Sequence, residues 1–350
     1  MTNFLLYGAN GYTGNLIARL AVERGLRPVL AGRDVEKIGR QASDLGLEHR
    51  AFALSDTTAL EAALQTVSAV LHCAGPFSHT SKLMADACLK TKTHYLDITG
   101  EIAVFEPLAA RNREAQDAGV MLLPGVGFDV VPSDCLAAHL KRRLPSATHL
   151  TLAIHGLGRL SHGTATTMVE NVNRGGLIRR DGKLTSVPTA WKTREIDFGS
   201  GPIKAVTIPW GDVSTAFHST GIPNIEVYAA LPAATRRMMK LSRLLGPLLA
   251  TQPAQRFLKK RIKAQPAGPS DAERARGKSF VWGEAKDAAG QTKTSRLQGP
   301  EGYTLTALTA LAIIQKVLAG EAPAGFQTPS SAYGPDLILE IEGVTREDLD

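Results

Sequence analysis

A short apolar strand that runs straight into three spaced glycines and out into an amphipathic helix leaves few folds open to a chain. Phe4 to Gly14 reads Phe-Leu-Leu-Tyr-Gly-Ala-Asn-Gly-Tyr-Thr-Gly, and Asn15 to Arg24 behind it carries the helical pattern. Glycines at 8, 11 and 14 allow a tight turn, close backbone approach to a pyrophosphate and packing of the new helix against its strand. The helix N-terminus adds unpaired N–H groups and the positive end of a dipole. Gly8, Ala9, Asn10, Gly11, Tyr12, Thr13 and Gly14 are therefore expected to cradle the phosphates of a dinucleotide. A second strand, Pro28 to Ala31, follows and ends in Gly32-Arg33-Asp34. At that place an acidic side chain would bind a free ribose 2′-hydroxyl, whereas arginine would pair with a 2′-phosphate. Arg33 comes first, so NADP(H) is expected over NAD(H), with Asp34 as the alternative ribose ligand if the turn is one residue longer.

Short apolar runs then alternate with helical patterns to about residue 145. Strands are predicted at Arg50 to Leu54, Ala69 to Cys73, His94 to Ile98 and Val120 to Leu123, and helices at Ala59 to Gln65, Lys82 to Lys90 and Glu106 to Ala118. This is an α/β pattern, a doubly wound parallel sheet. Pro132 suits the first turn of a helix reaching Leu144, which Pro145 stops. From Ala147 the texture changes to alternating runs at Leu150 to Ile154, Ile203 to Ile208 and Ile225 to Ala230, with a helical stretch at Thr164 to Asn173 and a hairpin at Ser279 to Lys286 and Thr292 to Gln298. These predict a second, α+β domain on a mostly antiparallel sheet. Tyr303 to Ala319 reads as a buried helix returning to the first domain, followed by a closing strand at Leu337 to Ile341 and a frayed acidic end. The expected domains are thus residues 1–145, 146–300 and 301–350.

The net charge of +7 suggests a nucleic-acid partner only until it is mapped. Nine Lys or Arg and no Asp or Glu fall between Val227 and Ser270, while the other 306 positions hold 31 basic and 33 acidic residues. The basicity is local, and no nucleic acid is implied. Segment 235–263 interleaves those cations with apolar residues, which suits an anionic membrane surface or an acidic partner. A solvated face with its apolar side packed on the domain is the plainer reading and the favoured one. Cys73, Cys88 and Cys135 form no close pairs, so no metal site is expected. The N-terminus shows no signal-peptide pattern and no apolar run spans a bilayer, which points to the cytoplasm.

Several further segments carry a resemblance. They are the turn Tyr7 to Gly14, Ala31-Gly32-Arg33, Cys73-Ala74-Gly75-Pro76-Phe77, His94 to Glu101, Gly127 to Asp134, Ser161-His162-Gly163-Thr164 and Gly302-Tyr303. Together they are similar to the saccharopine dehydrogenase-like oxidoreductases, and most similar to the branch containing trans-acting enoyl reductases. The resemblance implies a Rossmann domain that binds NADP(H), with an inserted sheet domain completing the active site. His162 stands where the family usually has a small residue. The chain is also expected to lack the larger domain of true saccharopine reductases, which argues against amino-acid condensation.

In such a sheet, ligands lie outside the carboxyl ends of the strands. There Asp56 is a candidate for the adenine amino group or, equally, an N-cap. Cys73, Ala74, Gly75 and Pro76 would receive the nicotinamide-side ribose, with Phe77 as a wall for the ring or as core. Hydride reduction also needs a proton. Glu101 and His162 are the preferred donors, with Tyr95, Asp97 and His155 as further candidates; Asp97 reads more readily as a carboxylate binding backbone N–H groups. Thr164, Asp129 and Ser133 read as helix caps. The expected activity is NADPH-dependent hydride transfer to a carbonyl or to an activated, enoyl-type alkene in a small, lipid-like molecule. A sensor or scaffold that binds NADP without turnover and a peripheral membrane adaptor are the alternatives, and a homo-oligomer is compatible with the chain.

Overall fold

The computed structural model describes residues 3–171, 175–249 and 251–350. The chain runs β1 (Phe4–Tyr7), α1 (Tyr12–Glu23), β2 (Val29–Gly32), α2 (Val35–Leu45), β3 (His49–Ala51), α3 (Thr57–Leu64), β4 (Ala69–His72), α4 (Phe77–Thr91), β5 (His94–Asp97), α5 (Ile102–Ala109), α6 (Asn112–Ala118) and β6 (Met121–Leu123). It continues with α7 (Val131–Arg143), β7 (Ala147–His155), α8 (His162–Glu170), β8 (Gly176–Arg180), β9 (Lys183–Val187), β10 (Thr193–Asp197), β11 (Pro202–Thr207), α9 (Asp212–Thr220) and β12 (Asn224–Ala230). Then come α10 (Ala233–Leu249), α11 (Gln252–Lys263), α12 (Asp271–Arg276), β13 (Lys278–Asp287), β14 (Thr292–Pro300), α13 (Gly302–Leu318), β15 (Gly325–Phe326), α14 (Pro329–Tyr333), a 3₁₀ turn (Leu337–Glu340) and β16 (Thr345–Asp348).

Two units result, Met1–Val131 with Tyr303–Ala332, and Pro132–Gly302 with Tyr333–Asp350. The first holds a parallel sheet in the order β15-β6-β5-β4-β1-β2-β3. Strands β1, β2 and β4 are buried along their whole length, as continuous apolar runs require when helices cover both faces. The returning helix α13 belongs to this unit. Thr309 Oγ donates to the Val126 carbonyl at 2.8 Å, and Phe128 N donates to Thr306 Oγ at 3.0 Å. An added Cβ on Gly127 would lie 2.8 Å from the Thr306 methyl, so only glycine lets the loop after β6 sit this close to α13.

The second unit holds a sheet in the order β10-β11-β12-β7-β13-β14-β16, with β8 pairing both β12 and β9. Its pairs are antiparallel except β12 with β7. Helix α7 lies on one face, where an added Cβ on Gly283 of β13 would come within 2.6 Å of Leu140. That contact places α7 in the second unit, so the boundary falls near residue 132 and not at 145–146.

Several expectations need correction. Leu337 to Ile341 is not a strand: the buried residues are Leu337, Ile338 and Ile341, a helical spacing, and the segment forms the 3₁₀ turn. The acidic end is not frayed but makes β16 on β14, so residues 333–350 go with the second unit. Asp348 accepts from Ser295 Oγ at 2.7 Å and faces His139 Nε2 at 2.8 Å, and Arg296 Nε donates to Glu347 at 2.9 Å. The helix expected at Glu106 to Ala118 is two helices, broken at Ala110 and Arg111. The expected end of α8 at Asn173 lies outside the described residues, as do Ala250 and the side chains of residues 244–249 in the basic segment.

Candidate functional site

The C-terminal rim of the parallel sheet is built from the loops after β1, β2, β4, β5 and β6. In the first loop Gly8 has φ +84° and its N–H donates to Ala31 O at 2.8 Å, tying the turn to β2. An added Cβ there would lie 2.8 Å from Ala74 N, against the loop after β4. On Gly14 it would come within 2.4 Å of Gly8 O, and on Gly11 within 3.2 Å of the same oxygen. Gly8 and Gly14 therefore leave room for backbone alone, and Gly11 is tight. Helix α1 starts at Tyr12, earlier than expected, with Gly11 as an N-cap that offers no side-chain acceptor. Its first-turn N–H groups thus present the donor set and dipole end that suit a phosphate. Tyr12 meets Tyr303 edge-on at 5.1 Å, joining two of the sequence motifs in one place.

Arg33 follows β2 directly and is exposed. Asp34 is otherwise engaged: it caps α2, accepting from Lys37 N at 3.1 Å, and pairs with Lys37 Nζ at 2.9 Å. Lys37 accordingly holds this carboxyl below the usual range. Asp56 is the N-cap of α3, accepting from Ala59 N at 3.0 Å. The arrangement at β2 fits a nucleotide with a 2′-phosphate: a solvent-facing guanidinium at the strand end and a neighbouring carboxylate turned into its own helix.

In the loop after β4, Cys73 N donates to Tyr7 O at 2.7 Å and Thr80 Oγ donates to Ala74 O at 2.8 Å. Burial, with Asp97 nearby, pushes the Cys73 thiol up, so it stays protonated. Phe77 is the first residue of α4 and packs edge-on against buried His72 at 5.4 Å, beside the core. Helix α4 starts five residues before its predicted position because Glu101 caps it from another loop. The two carboxylate oxygens accept from Phe77 N at 2.8 Å and Ser78 N at 3.1 Å.

Asp97 and Tyr95 are both fully buried. Tyr95 donates its hydroxyl to Asp97 Oδ2 at 2.5 Å, while Asp97 Oδ1 accepts from Thr99 N and Gly125 N, each at 2.9 Å. Burial raises the Asp97 carboxyl to about 6 against these bonds. The group ties the loop after β5 to the loop after β6.

His162 lies in the other unit, at the start of α8. Its Nε2 meets Gln265 O at 2.8 Å, and its N–H donates to Ala267 O at 3.0 Å. The N-cap of α8 is Ser161, which accepts from Thr164 N at 3.2 Å, in place of the expected Thr164. His155 stacks on Phe280 at 5.9 Å and lies tilted against Phe198 at 5.3 Å. Ser133 lies inside α7 and donates to Asp212 at 2.7 Å, so it is not a cap. Among the described residues, no group of three or more His, Cys, Asp or Glu is placed to hold a metal ion.

Asp129, read from the sequence as a helix cap, has another setting in the fold. Its half-buried carboxyl lies against Gly100, where an added Cβ would meet Oδ2 at 2.7 Å. Burial alone raises it to about 6. The rim of the sheet therefore carries one carboxyl that caps a helix, Glu101, one that ties loops, Asp97, and one held near neutrality by its surroundings, Asp129.

The family model described as "Saccharopine dehydrogenase NADP binding domain" matches residues 4–123. The trans-acting enoyl reductase of Mycobacterium leprae is 33% identical over 150 residues, which are 41% of this chain and 36% of that protein. Its namesake from Mycobacterium ulcerans is 28% identical over 218 residues, 57% of this chain and 52% of that one. The chain thus matches about a third to a half of the length of these relatives. Among solved structures, apo saccharopine dehydrogenase (L-Glu forming) from Saccharomyces cerevisiae superposes with a TM-score of 0.67 at 12% identity, over 99% of this chain and 100% of that chain. Residues 4–123 are thus similar to the saccharopine dehydrogenase NADP-binding domain, and the chain has the saccharopine dehydrogenase fold.

Proposed function

We propose that the protein is a cytoplasmic NADPH-dependent reductase acting on a carbonyl or an activated, enoyl-type alkene in a small apolar molecule. The observation that carries this reading is the turn at Gly8, Gly11 and Gly14, closed to a side chain at Gly8 and Gly14, with Arg33 at the end of the next strand. The name borne by the mycobacterial relatives supplies the enoyl class. NADPH, when bound, would supply the hydride. The first turn of α1 would hold the pyrophosphate and Arg33 the 2′-phosphate. Backbone at Ala74, Gly75 and Pro76 would receive the nicotinamide-side ribose.

The proton is assigned to Asp129 in place of Glu101. Both Glu101 oxygens already accept helix N–H bonds, and His162 is bonded to a backbone carbonyl. Asp129 is raised to about 6, the range that lets a carboxylic acid donate near neutral pH. Its proton would go to the substrate carbon or oxygen left electron-rich by hydride addition, and water would reprotonate it.

The test is fluorescence titration with NADPH and NADH, followed by turnover of trans-2-enoyl thioesters and ketones read as loss of NADPH absorbance. Micromolar NADPH binding with oxidation by one substrate class is expected. Failure to bind either nucleotide would overturn the reading, and binding without oxidation across the panel would favour an NADP sensor or scaffold.

A further inference from the structure

Helices α10 and α11 present an outer face unlike the rest of the protein. Large apolar side chains stand exposed on both helices: Met238 at 70% and Leu241 at 51% on α10, and Phe257 at 59% on α11. Met168 of α8, the helix on which α11 packs, adds a fourth at 59%. These four are half of the eight large apolar side chains exposed among the described residues. A solvated helix face would be polar at those positions.

Each apolar side chain has exposed cations as helical neighbours. On α10, Arg237 and Lys240 share about half a turn with Met238 and Leu241; on α11, Lys260 and Arg261 do so with Phe257. Arg261 stands over the Phe257 ring at 5.5 Å. Other cations of the segment have structural partners: Lys259 pairs with Glu170 at 2.6 Å, and Arg243 donates to Thr189 O and Ala190 O at 2.7 and 2.8 Å. By contrast, Arg237, Lys240, Lys260 and Arg261 have no carboxylate partner among the described residues.

We propose that this face docks the protein on an anionic phospholipid surface. Met238, Leu241 and Phe257 would enter the headgroup and acyl boundary while the surrounding Lys and Arg meet lipid phosphates. The pattern favours a bilayer over an acidic protein. A bilayer accepts apolar side chains dispersed singly among cations, whereas a stable protein interface gathers them into a desolvated centre ringed by polar groups. The chain would lie on the membrane without crossing it; among the described residues no helix is long and apolar enough to span.

The experiment is co-sedimentation of the whole protein with phosphatidylglycerol/phosphatidylcholine vesicles and with phosphatidylcholine alone. Binding to the anionic vesicles is expected, weakened by salt. Replacing Lys240, Lys260 and Arg261 by Gln should lower the partition coefficient about a hundredfold. A second variant, M238S/L241S/F257S, should also lose binding while keeping its charge, and F257W should be quenched by brominated acyl chains. Absence of binding by the native protein, or binding undiminished in the apolar variant, would overturn the proposal; the latter is what adhesion through charge alone would give. NADPH titration of both multiple variants, expected to be unchanged, separates this outcome from failure of the reductase reading.

Discussion

The carboxylate of Glu101 accepts the backbone N–H of Phe77 at 2.8 Å, reaching across from the loop after β5 to start the helix after β4. With Ser78 N at 3.1 Å, the pair satisfies two donors that a helix beginning at Pro76 could not satisfy from its own sequence, and sets a negative charge at the positive end of α4. Glu101→Ala should therefore destabilise the protein by about 1–2 kcal/mol. Glu101→Gln, which keeps one acceptor, should recover about half of that and retain turnover. Urea unfolding measures the first effect and steady-state kinetics the second. A folded Glu101→Gln protein with kcat reduced a hundredfold or more would return the proton to Glu101.

The glycine turn makes a sharper demand. A methyl on Gly14 would sit 2.4 Å from Gly8 O, a backbone atom of the proposed phosphate cradle. Gly14→Ala must push the turn away from α1, so NADPH affinity should fall at least about tenfold, equivalent to 1.4 kcal/mol. Gly25→Ala is the control. Gly25 lies at φ +76° and an added Cβ meets nothing there, so its substitution should cost stability through the backbone without touching affinity. Equal affinity losses in the two variants would show that the effect is general loosening and not closure of the cradle.

Arg33 is exposed, so its removal should leave stability within about 0.5 kcal/mol of the native value. Its proposed partner, a 2′-phosphate, is present in NADPH and absent from NADH. Arg33→Gln should thus weaken NADPH about 10- to 100-fold, the worth of one or two charge-assisted bonds, while NADH affinity stays constant. Equal changes for both nucleotides would place the arginine elsewhere in the site.

The parallel sheet was readable because its strands are short apolar runs, buried on both faces and separated at regular intervals by helical patterns. Its rim chemistry was only half readable. Gly8 to Gly14 declares itself because the steric need is local. The cap at Phe77 comes from a residue 24 positions away, so the local pattern placed the start of α4 too late. The parallel pairing of β12 with β7 was hidden for another reason: alternation of period two is the same in parallel and antiparallel strands. Leu337 to Ile341 misled because an apolar run of five residues carries too few positions to separate strand from helix. Asp129, beside Pro132 and Ser133, looks like a cap in one dimension; only the folded loop brings it against Gly100.

That placement has a measurable consequence. The Asp129 carboxyl, raised by burial to about 6, binds a proton more tightly in the folded than in the unfolded chain. Its contribution to stability is fully present below about pH 4, where both states are protonated, and is lost as the pH rises towards 6 and the folded group ionises. Asp129→Asn, which mimics the neutral acid, should match the native protein below pH 4 and exceed its stability at pH 7 by about 3 kcal/mol. Asp97, also raised to about 6, remains in both proteins, so the difference between the two pH profiles isolates Asp129. If Asp129 supplies the proton for reduction, the same variant should lose kcat by about a hundredfold or more with NADPH affinity unchanged. A gain in stability joined to a loss of turnover is the mark of a group kept for chemistry at the expense of the fold. Chemical denaturation across pH 4 to 8 and single-turnover kinetics test the pair. Unchanged turnover would remove Asp129 from the mechanism, and a flat difference profile would mean that its carboxyl is not raised at all.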